Sequence, residues 1–334
     1  MSSQGTGTEP NLSEGKALVT VIGEALVDII EDPRRGSTAP ETHPGGSPLN
    51  VAVGCARLGL YTKLVTHFAE DPYGQLIAKH LENNGVETIV GGSQPTSTAV
   101  ATLDDAGAAR YTFAISWDIN GASIPALAAA ESSLHVHTGS ISTVLSPGSK
   151  SVMGLLDGAR HHATISFDPN CRPAISPDKA AARKQAEDFV AASDIVKASD
   201  EDLLWLYPDR TLEESMNAWL ALGPALVALT RGANGPVLLS RSGRVDIPGE
   251  TVTVADTVGA GDSFMAALIS GLAQLGALGA AGRERLQRIS QDELQALARY
   301  ANKAAGITCS RAGANPPGPA ELGPLAIPSY FLEA

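Results

Sequence analysis

Cysteine is scarce in this chain, and its placement excludes two classes of protein at once. Three of 334 residues are cysteine, Cys55, Cys171 and Cys309. They are odd in number, far apart and in no CxxC spacing, which suggests neither a disulfide framework nor a zinc site. A reducing, cytoplasmic setting is expected. Basic runs are missing too: no stretch of Lys or Arg exceeds two residues and the formal charge is −12, so no electrostatic footprint for nucleic acid is visible. No uncharged apolar run is long enough to span a bilayer, and residues 1–16 lack the apolar centre of a signal peptide. No membrane partner is expected, and residues 1–16 read as a disordered tail. Two nucleotide-binding signatures are also missing. There is no GxxxxGK[ST] and hence no P-loop. The string "GAGDSF" lacks the third glycine of a dinucleotide fingerprint and has no acidic ribose ligand in a following βα unit.

What is present suits a large buried core, since 43% of the residues are hydrophobic and 18% charged. Short β-branched runs at 17–23, 63–69, 133–139, 163–169, 194–199, 225–230 and 236–241 predict buried strands. Amphipathic stretches at 47–60, 73–85, 177–193 and 201–208 predict helices between them. Strands separated by helices imply an α/β fold with a mostly parallel sheet covered on both faces. Residues 28–43 and 98–116 break this rhythm. In the second block two alternating runs flank "DDAGAA", which reads as a β-hairpin, either a sheet edge or a small projecting β lid.

The most informative stretch is "VTVADTVGAGDSFMAALISGLAQL", residues 252–275. A glycine-rich turn feeding a helix presents unpaired amides and the positive end of the helix dipole, and so forms an anion site. A carboxylate at that point, Asp262, could take a proton from a hydroxyl attacking a phosphorus bound alongside. The same residue would also serve as the N-cap of a buried helix. The stretch alone leaves both readings open.

Further motifs bear on the choice. "DTVGAGDSF" (256–264) and "GGSPLNVAVGCARLG" (45–59) resemble the C-terminal and N-terminal signatures of the ribokinase-like (PfkB) carbohydrate kinases, in the same order and about two hundred residues apart. The resemblance continues through "GEALVDI" (23–29), "SFDPNCRP" (166–173), "DIVKASDEDL" (194–203), "ALTRGANG" (228–235) and "YANKAAGITCSRAGAN" (300–315). It covers nearly all of residues 17–330, taken as the kinase domain. It implies a three-layer αβα fold with a small β lid drawn from about 28–43 and 98–116, and an enzyme that uses ATP to phosphorylate a sugar hydroxyl.

The family's roles transfer where residues match. The resemblance makes Asp262 the general base, with Gly259, Ala260 and Gly261 forming the anion hole. Asp28, expected at the end of the first strand, together with Gly45, Gly46, Asn50, Asn170 and Arg172, would contact sugar, with Arg172 also in reach of phosphate. Lys197, Ser199, Thr230, Gly232, Gly235 and Asn302 would contact nucleotide. Magnesium is implied, although the usual Asn-x-x-Glu motif is here Ser199 and Asp202, with Glu201 beside them to act through water. Asp256 would help hold a monovalent cation, potassium being expected, with carbonyls of the 308–313 loop. Lids in relatives often pair two subunits, so a homodimer through the lid is an expectation.

His135 and His137 alternate on one strand and face the same way, but no third ligand appears at a recognisable spacing, so packing beneath the sugar site is expected rather than metal. His161 and His162 are expected at a helix end, in solvent or capping. "GEALVDI", "HVHTGSIS" and "SFDPNCRP" look most like the bacterial fructokinase branch, with "GSIS" replacing an acidic residue that ribokinases often show. Fructose phosphorylated on its 6-hydroxyl is therefore the expected reaction. Another furanose, a keto-deoxy sugar acid, a nucleoside, or a silent sugar sensor on the same fold are the alternatives.

Overall fold

The computed structural model describes residues 18–32, 34, 40–104 and 109–327. The tail 1–16 and most of the "DDAGAA" turn lie outside the described residues. The first half of the chain runs β1 (Leu18–Ile22), β2 (Leu26–Glu31), β3 (Glu41–Gly45), α1 (Ser47–Arg57), β4 (Tyr61–Thr66), α2 (Pro72–Asn83), β5 (Glu87–Val90), β6 (Ser97–Leu103), β7 (Ala109–Ala114), α3 (Ser123–Ser132), β8 (His135–Gly139) and α4 (Gly148–Ala159). It continues with β9 (Thr164–Asp168), α5 (Lys179–Ala191), β10 (Ile195–Ser199), α6 (Asp200–Leu206), α7 (Leu212–Leu222), β11 (Leu226–Thr230), β12 (Val237–Ser240) and β13 (Gly243–Asp246). Helices α8 (Ala260–Gln274), α9 (Gly279–Gln287), α10 (Gln291–Cys309) and α11 (Pro319–Leu322) complete it.

Nine strands form the main sheet in the order β13-β12-β11-β10-β9-β8-β1-β4-β5, parallel except for the β11-β12-β13 meander. Each strand serves two cores, because alternate residues point to opposite faces. Val19, Val21, Leu64 and Ile195 pack with α1, α2, α8 and α10. Ile22, Val136, Ile165, Phe167 and Val196 pack with α3 to α7 on the other face. Helix ends follow local chemistry. Asp71 caps α2 by accepting the Gly74 amide at 2.7 Å, and Asp178 caps α5. Ser290 and Glu293 make a reciprocal capping box at α10.

A second sheet, β3-β2-β6-β7, stands apart as the small β layer. β2 pairs parallel with β6, and the other two pairings are antiparallel. The expected hairpin is β6–β7, in register from Thr98–Ala114 to Leu103–Ala109.

One expectation needs correcting. Asp28 does not end the first strand; it lies in the middle of β2, in the small sheet, opposite His43. The strand read at 17–23 is β1, and residues 26–31 form a separate strand reached through Gly23, where a Cβ would strike the Pro48 ring. Strands β5 and β13 escape sequence pattern for a different reason: they are short edges whose residues are largely polar and exposed.

Candidate active site

Helix α8 begins in a turn that only glycine makes cheaply. Gly259, its N-cap, has φ +74°, and a Cβ there would press on Ala314. Asp262 is the third residue of the helix, so it is not the N-cap. The first turn of a helix lacks intrahelical acceptors. Ala260 spends its amide on Thr257 O at 3.2 Å, and the first helical bond is Ser263 N to Gly259 O. The amides of Gly261 and Asp262 lie between them.

Asp262 is 8% exposed as a residue, and both its carboxylate oxygens are engaged from α1. Ser47 Oγ donates to Oδ1 at 2.6 Å and Asn50 Nδ2 donates to Oδ2 at 2.8 Å. Close helix approach permits this: a Cβ on Gly54 would stand 2.6 Å from Ala266 Cβ. Ser47 was not among the sequence candidates. Its one signal is position, since it opens α1 directly before Pro48, where a first-turn proline marks a helix start.

Asp28, Gly45 and Gly46 gather beside this helix start. A Cβ on Gly45 would collide with Asp28 Oδ2. Burial raises the Asp28 carboxyl above the usual carboxylate range, opposed by the positive charges of His43 and Arg172. Arg172 itself is exposed and donates to the carbonyls of Asn170 and Cys171 at 3.3 and 3.0 Å.

A cavity of about 450 Å³ lies beyond the carboxyl ends of β9, β10 and β11. Open α/β sheets bind ligands in this place. Asn170, Arg172, Lys197, Ser199 and Thr230 line it, with Gly261 at its helix end and Glu201 and Asp202 along α6. Trp205 is a further lining residue that the motifs did not single out. Lys197 Nζ stands 2.9 Å from where a Gly261 Cβ would be, so its ammonium faces the turn of α8. It is held there by Asp168, whose Oδ2 accepts at 2.6 Å with both side chains buried. Burial pushes Asp168 up to about 6 despite Lys197, while the surrounding carboxylates, Asp168 foremost, keep Lys197 above its ordinary value against the effect of burial.

Asp202 is a capping residue in this structure. Its Oδ2 accepts from the Ser199 amide at 2.9 Å and hydroxyl at 2.7 Å, and its Oδ1 from the Cys171 amide at 2.7 Å. Glu201, one turn position earlier, is exposed. Gly232 and Gly235 bound a short 3-10 turn with φ +50° and +74°. That turn packs on residues 247–249, and Asn302 Nδ2 donates to Pro248 O at 2.9 Å from α10. Gly235 and Asn302 therefore meet around one segment.

Asp256 accepts the Val258 amide at 3.0 Å and the Gly313 amide at 2.9 Å. These bonds, the Val258 amide foremost, lower its carboxyl pKa. The amides of Ala255 and Asp256 in turn donate to Cys309 O. The turn before α8 is thus laced to the loop after α10.

His135 and His137 are fully buried. His135 meets Thr164 Oγ1 at 2.9 Å and Ser166 Oγ at 2.7 Å, and His137 meets Ser166 at 2.8 Å. Burial pushes His135 down to about 3 and His137 well below its ordinary value, so both stay neutral. Among the described residues no cluster of three or more metal-ligating side chains occurs, and no single helix is long and apolar enough to cross a membrane. His161 and His162 are exposed between α4 and β9.

An open α/β sheet with an anion-ready helix start, a carboxylate beside it and a cavity at the strand ends defines the class of a small-molecule phosphotransferase. The chain belongs to the pfkB family of carbohydrate kinases, whose model, "pfkB family carbohydrate kinase", matches residues 16–321. It is a sugar kinase with the ribokinase-like fold. A fructokinase of Rhizobium leguminosarum bv. trifolii is 33% identical over 264 residues, covering 76% of this chain and 79% of its own. An uncharacterized sugar kinase from Pyrococcus horikoshii, solved in complex with ATP, superposes with a TM-score of 0.72 at 28% identity over 89% of this chain and 93% of that one. A fructokinase double mutant from Vibrio cholerae O395, in its fructose-, ADP- and potassium-bound form, gives 0.73 at 25% identity over 90% and 95%.

Proposed function

We propose that this sugar kinase transfers the γ-phosphoryl group of ATP to the 6-hydroxyl of fructose, with Asp262 as general base. The observation that carries the reading is Asp262 itself, oriented by Ser47 and Asn50 of α1 at the start of α8, one residue after Gly261, which lines the strand-end cavity. Each Asp262 oxygen accepts one bond and keeps a second lone pair, so the carboxylate can still receive a sugar proton. Lys197 and the Gly261 and Asp262 amides would take up the charge that develops on the phosphoryl oxygens. The sugar would be held by Asp28, Gly45, Gly46, Asn50, Asn170 and Arg172, and the nucleotide by Ser199, Thr230, Gly232, Gly235 and Asn302. The choice of fructose is supported by the fructokinase relatives.

Magnesium bound on the nucleotide would supply charge neutralisation between the phosphates. The donor set fits a water-mediated ion: Glu201 presents an exposed carboxylate to the cavity, while Asp202 is committed to Ser199 and Cys171. Asp256 would hold a potassium ion with carbonyls of the 308–313 loop, and so stiffen the anion turn. The site would work in the cytoplasm, where ATP is supplied. Two chains would pair through the small sheet, whose edge strand β7 presents Tyr111 and Phe113, 61% and 38% exposed and stacked at 6.0 Å. Light scattering on the full chain tests that pairing, and a monomer at working concentration refutes it.

The decisive experiment is a coupled ADP-release assay with ATP and magnesium over a panel of sugars, sugar acids and nucleosides. Fructose is expected to exceed ribose in kcat/KM by at least about tenfold, roughly 1.4 kcal/mol of differential transition-state binding. Ribose, a sugar acid or adenosine in the lead would overturn the choice of fructose. Release with none of them would make the chain a silent sugar binder.

A further inference from the structure

Glu24 lies where the chain leaves β1 for the small sheet, and its side chain is buried, with 2% exposure for the residue. Its Oε2 accepts the Ser142 amide at 2.9 Å, and its Oε1 has no hydrogen-bond partner. Burial pushes this carboxyl up to about 7, opposed by its own backbone amide, the Ser140 hydroxyl, the Ser142 amide and the charge of Arg172. A buried carboxyl is costly to keep, and no step of the phosphoryl transfer derived above uses it.

Its neighbours give it a purpose. Through its main chain it meets Gly46: a Cβ there would stand 2.6 Å from Glu24 O, and Gly46 has φ +109°. Through its side chain it holds the 3-10 turn Ser140–Thr143, which follows β8. That turn opens on Ser140 with φ +57°, and Asn170 across the sheet has φ +37°. These are the two non-glycine residues with left-handed backbone among the described residues. Asn170 Nδ2 reaches Ser140 Oγ at 3.4 Å, so the two strained residues touch. Such strain persists where surrounding contacts impose it, and it clusters at ligand sites.

We propose that Glu24 is a positioning residue of the sugar site: by anchoring the Ser140–Thr143 turn it holds Asn170 in the geometry that receives the sugar, so that affinity for sugar, and not for nucleotide, depends on it. The inference rests on the sugar contacts assigned under Proposed function. Glu24 never touches the sugar; its side chain acts through Ser142 and Ser140. A carboxyl suits this task because one oxygen accepts the Ser142 amide while the short side chain stays inside the turn.

Calorimetric titration of fructose and, separately, ADP into the full chain tests it, using the parent, Glu24→Ala, Glu24→Gln and Ser140→Gly. Glu24→Ala is expected to weaken fructose binding at least about tenfold with ADP affinity within about twofold of the parent. Glu24→Gln keeps an acceptor for the Ser142 amide and is expected to stay within about threefold for both ligands. Ser140→Gly relaxes the left-handed position and removes the hydroxyl, and is expected to weaken fructose alone by about fivefold or more. It also serves if Glu24→Ala does not fold. Fructose affinity unchanged in Glu24→Ala or Ser140→Gly, or fructose and ADP weakened together, overturns the inference. Turnover measured on the parent keeps the two readings apart. A parent that binds fructose without phosphorylating it refutes the kinase step while the Glu24 comparison still stands, and a parent that binds no fructose refutes both.

Discussion

Asn50 and Asp262 are 212 residues apart in sequence, yet the Asn50 amide nitrogen donates to Asp262 Oδ2 at 2.8 Å. Together with Ser47 it fixes the orientation of a carboxylate at the start of α8. Asp262→Asn keeps the shape and would lose the proposed base. General-base contributions are typically ~10²–10⁴-fold, so kcat is expected to fall by about that much while fructose and ADP still bind. Steady-state kinetics with calorimetry read both quantities, and near-normal kcat would remove the base assignment. Ser47→Ala is expected to be milder, about tenfold in kcat, because one of two orienting bonds remains.

Asp256 lies six residues earlier and is expected to fail differently. Asp256→Asn loosens the link between the turn and Gly313. KM for ATP is then expected to rise and activation by potassium to shrink, since a cation there would preorganise the anion turn. ATP titrations with and without potassium measure it. A potassium response equal to that of the parent would leave Asp256 as a turn-stabilising residue.

The small sheet makes a third case. Replacing residues 104–108 with Asn-Gly keeps the Leu103–Ala109 pair and the β6–β7 register and shortens the connection. If the sheet excludes water from the bound phosphate, KM for sugar is expected to rise and ATP hydrolysis without sugar to increase. Unchanged KM and no such hydrolysis would make the hairpin a sheet edge only.

Acid is expected to act through Asp168. Burial raises its pKa above the ordinary carboxylate value to about 6, so the folded chain takes up a proton there earlier than the unfolded chain does. Between about 4 and 6 the folded state therefore holds the extra proton. The contribution of this one group to stability declines as pH rises through that window. Activity has the opposite sign: below about 6 the Asp168–Lys197 ion pair is lost. kcat/KM for ATP is then expected to fall by up to about tenfold per unit. A pH–rate profile from 5 to 8 checks this, and a flat profile down to pH 5 would detach Lys197 positioning from Asp168.

Much of this molecule is written locally. The seven β-branched runs became β1, β4, β8, β9, β10, β11 and β12, because a strand buried on both faces needs continuous apolar residues wherever it sits. Helices α2, α5 and α10 begin at Asp or Ser caps legible within four residues. The left-handed Gly259 before α8 is likewise a property of its own backbone. Tertiary structure decided the rest. Asp28 lies in β2 and not in the main sheet because the chain, after passing Pro48 of α1 at Gly23 where only a residue without a Cβ fits, pairs residues 26–31 with β3 and β6. Asp202 forms a local capping box with Ser199, and the fold adds the Cys171 amide, from the loop after β9, on its second oxygen. Ser47, Asp168 and Glu24 are ordinary polar residues in sequence. Their partners Asp262, Lys197 and Ser142 come from other elements, and only the packing of α1 on α8 and of neighbouring strand ends brings them to hydrogen-bonding distance. Periodicity and capping reach a few residues along the chain. A hydrogen bond between residues tens to hundreds of positions apart has no such local signature, so the fold alone determines which polar groups meet.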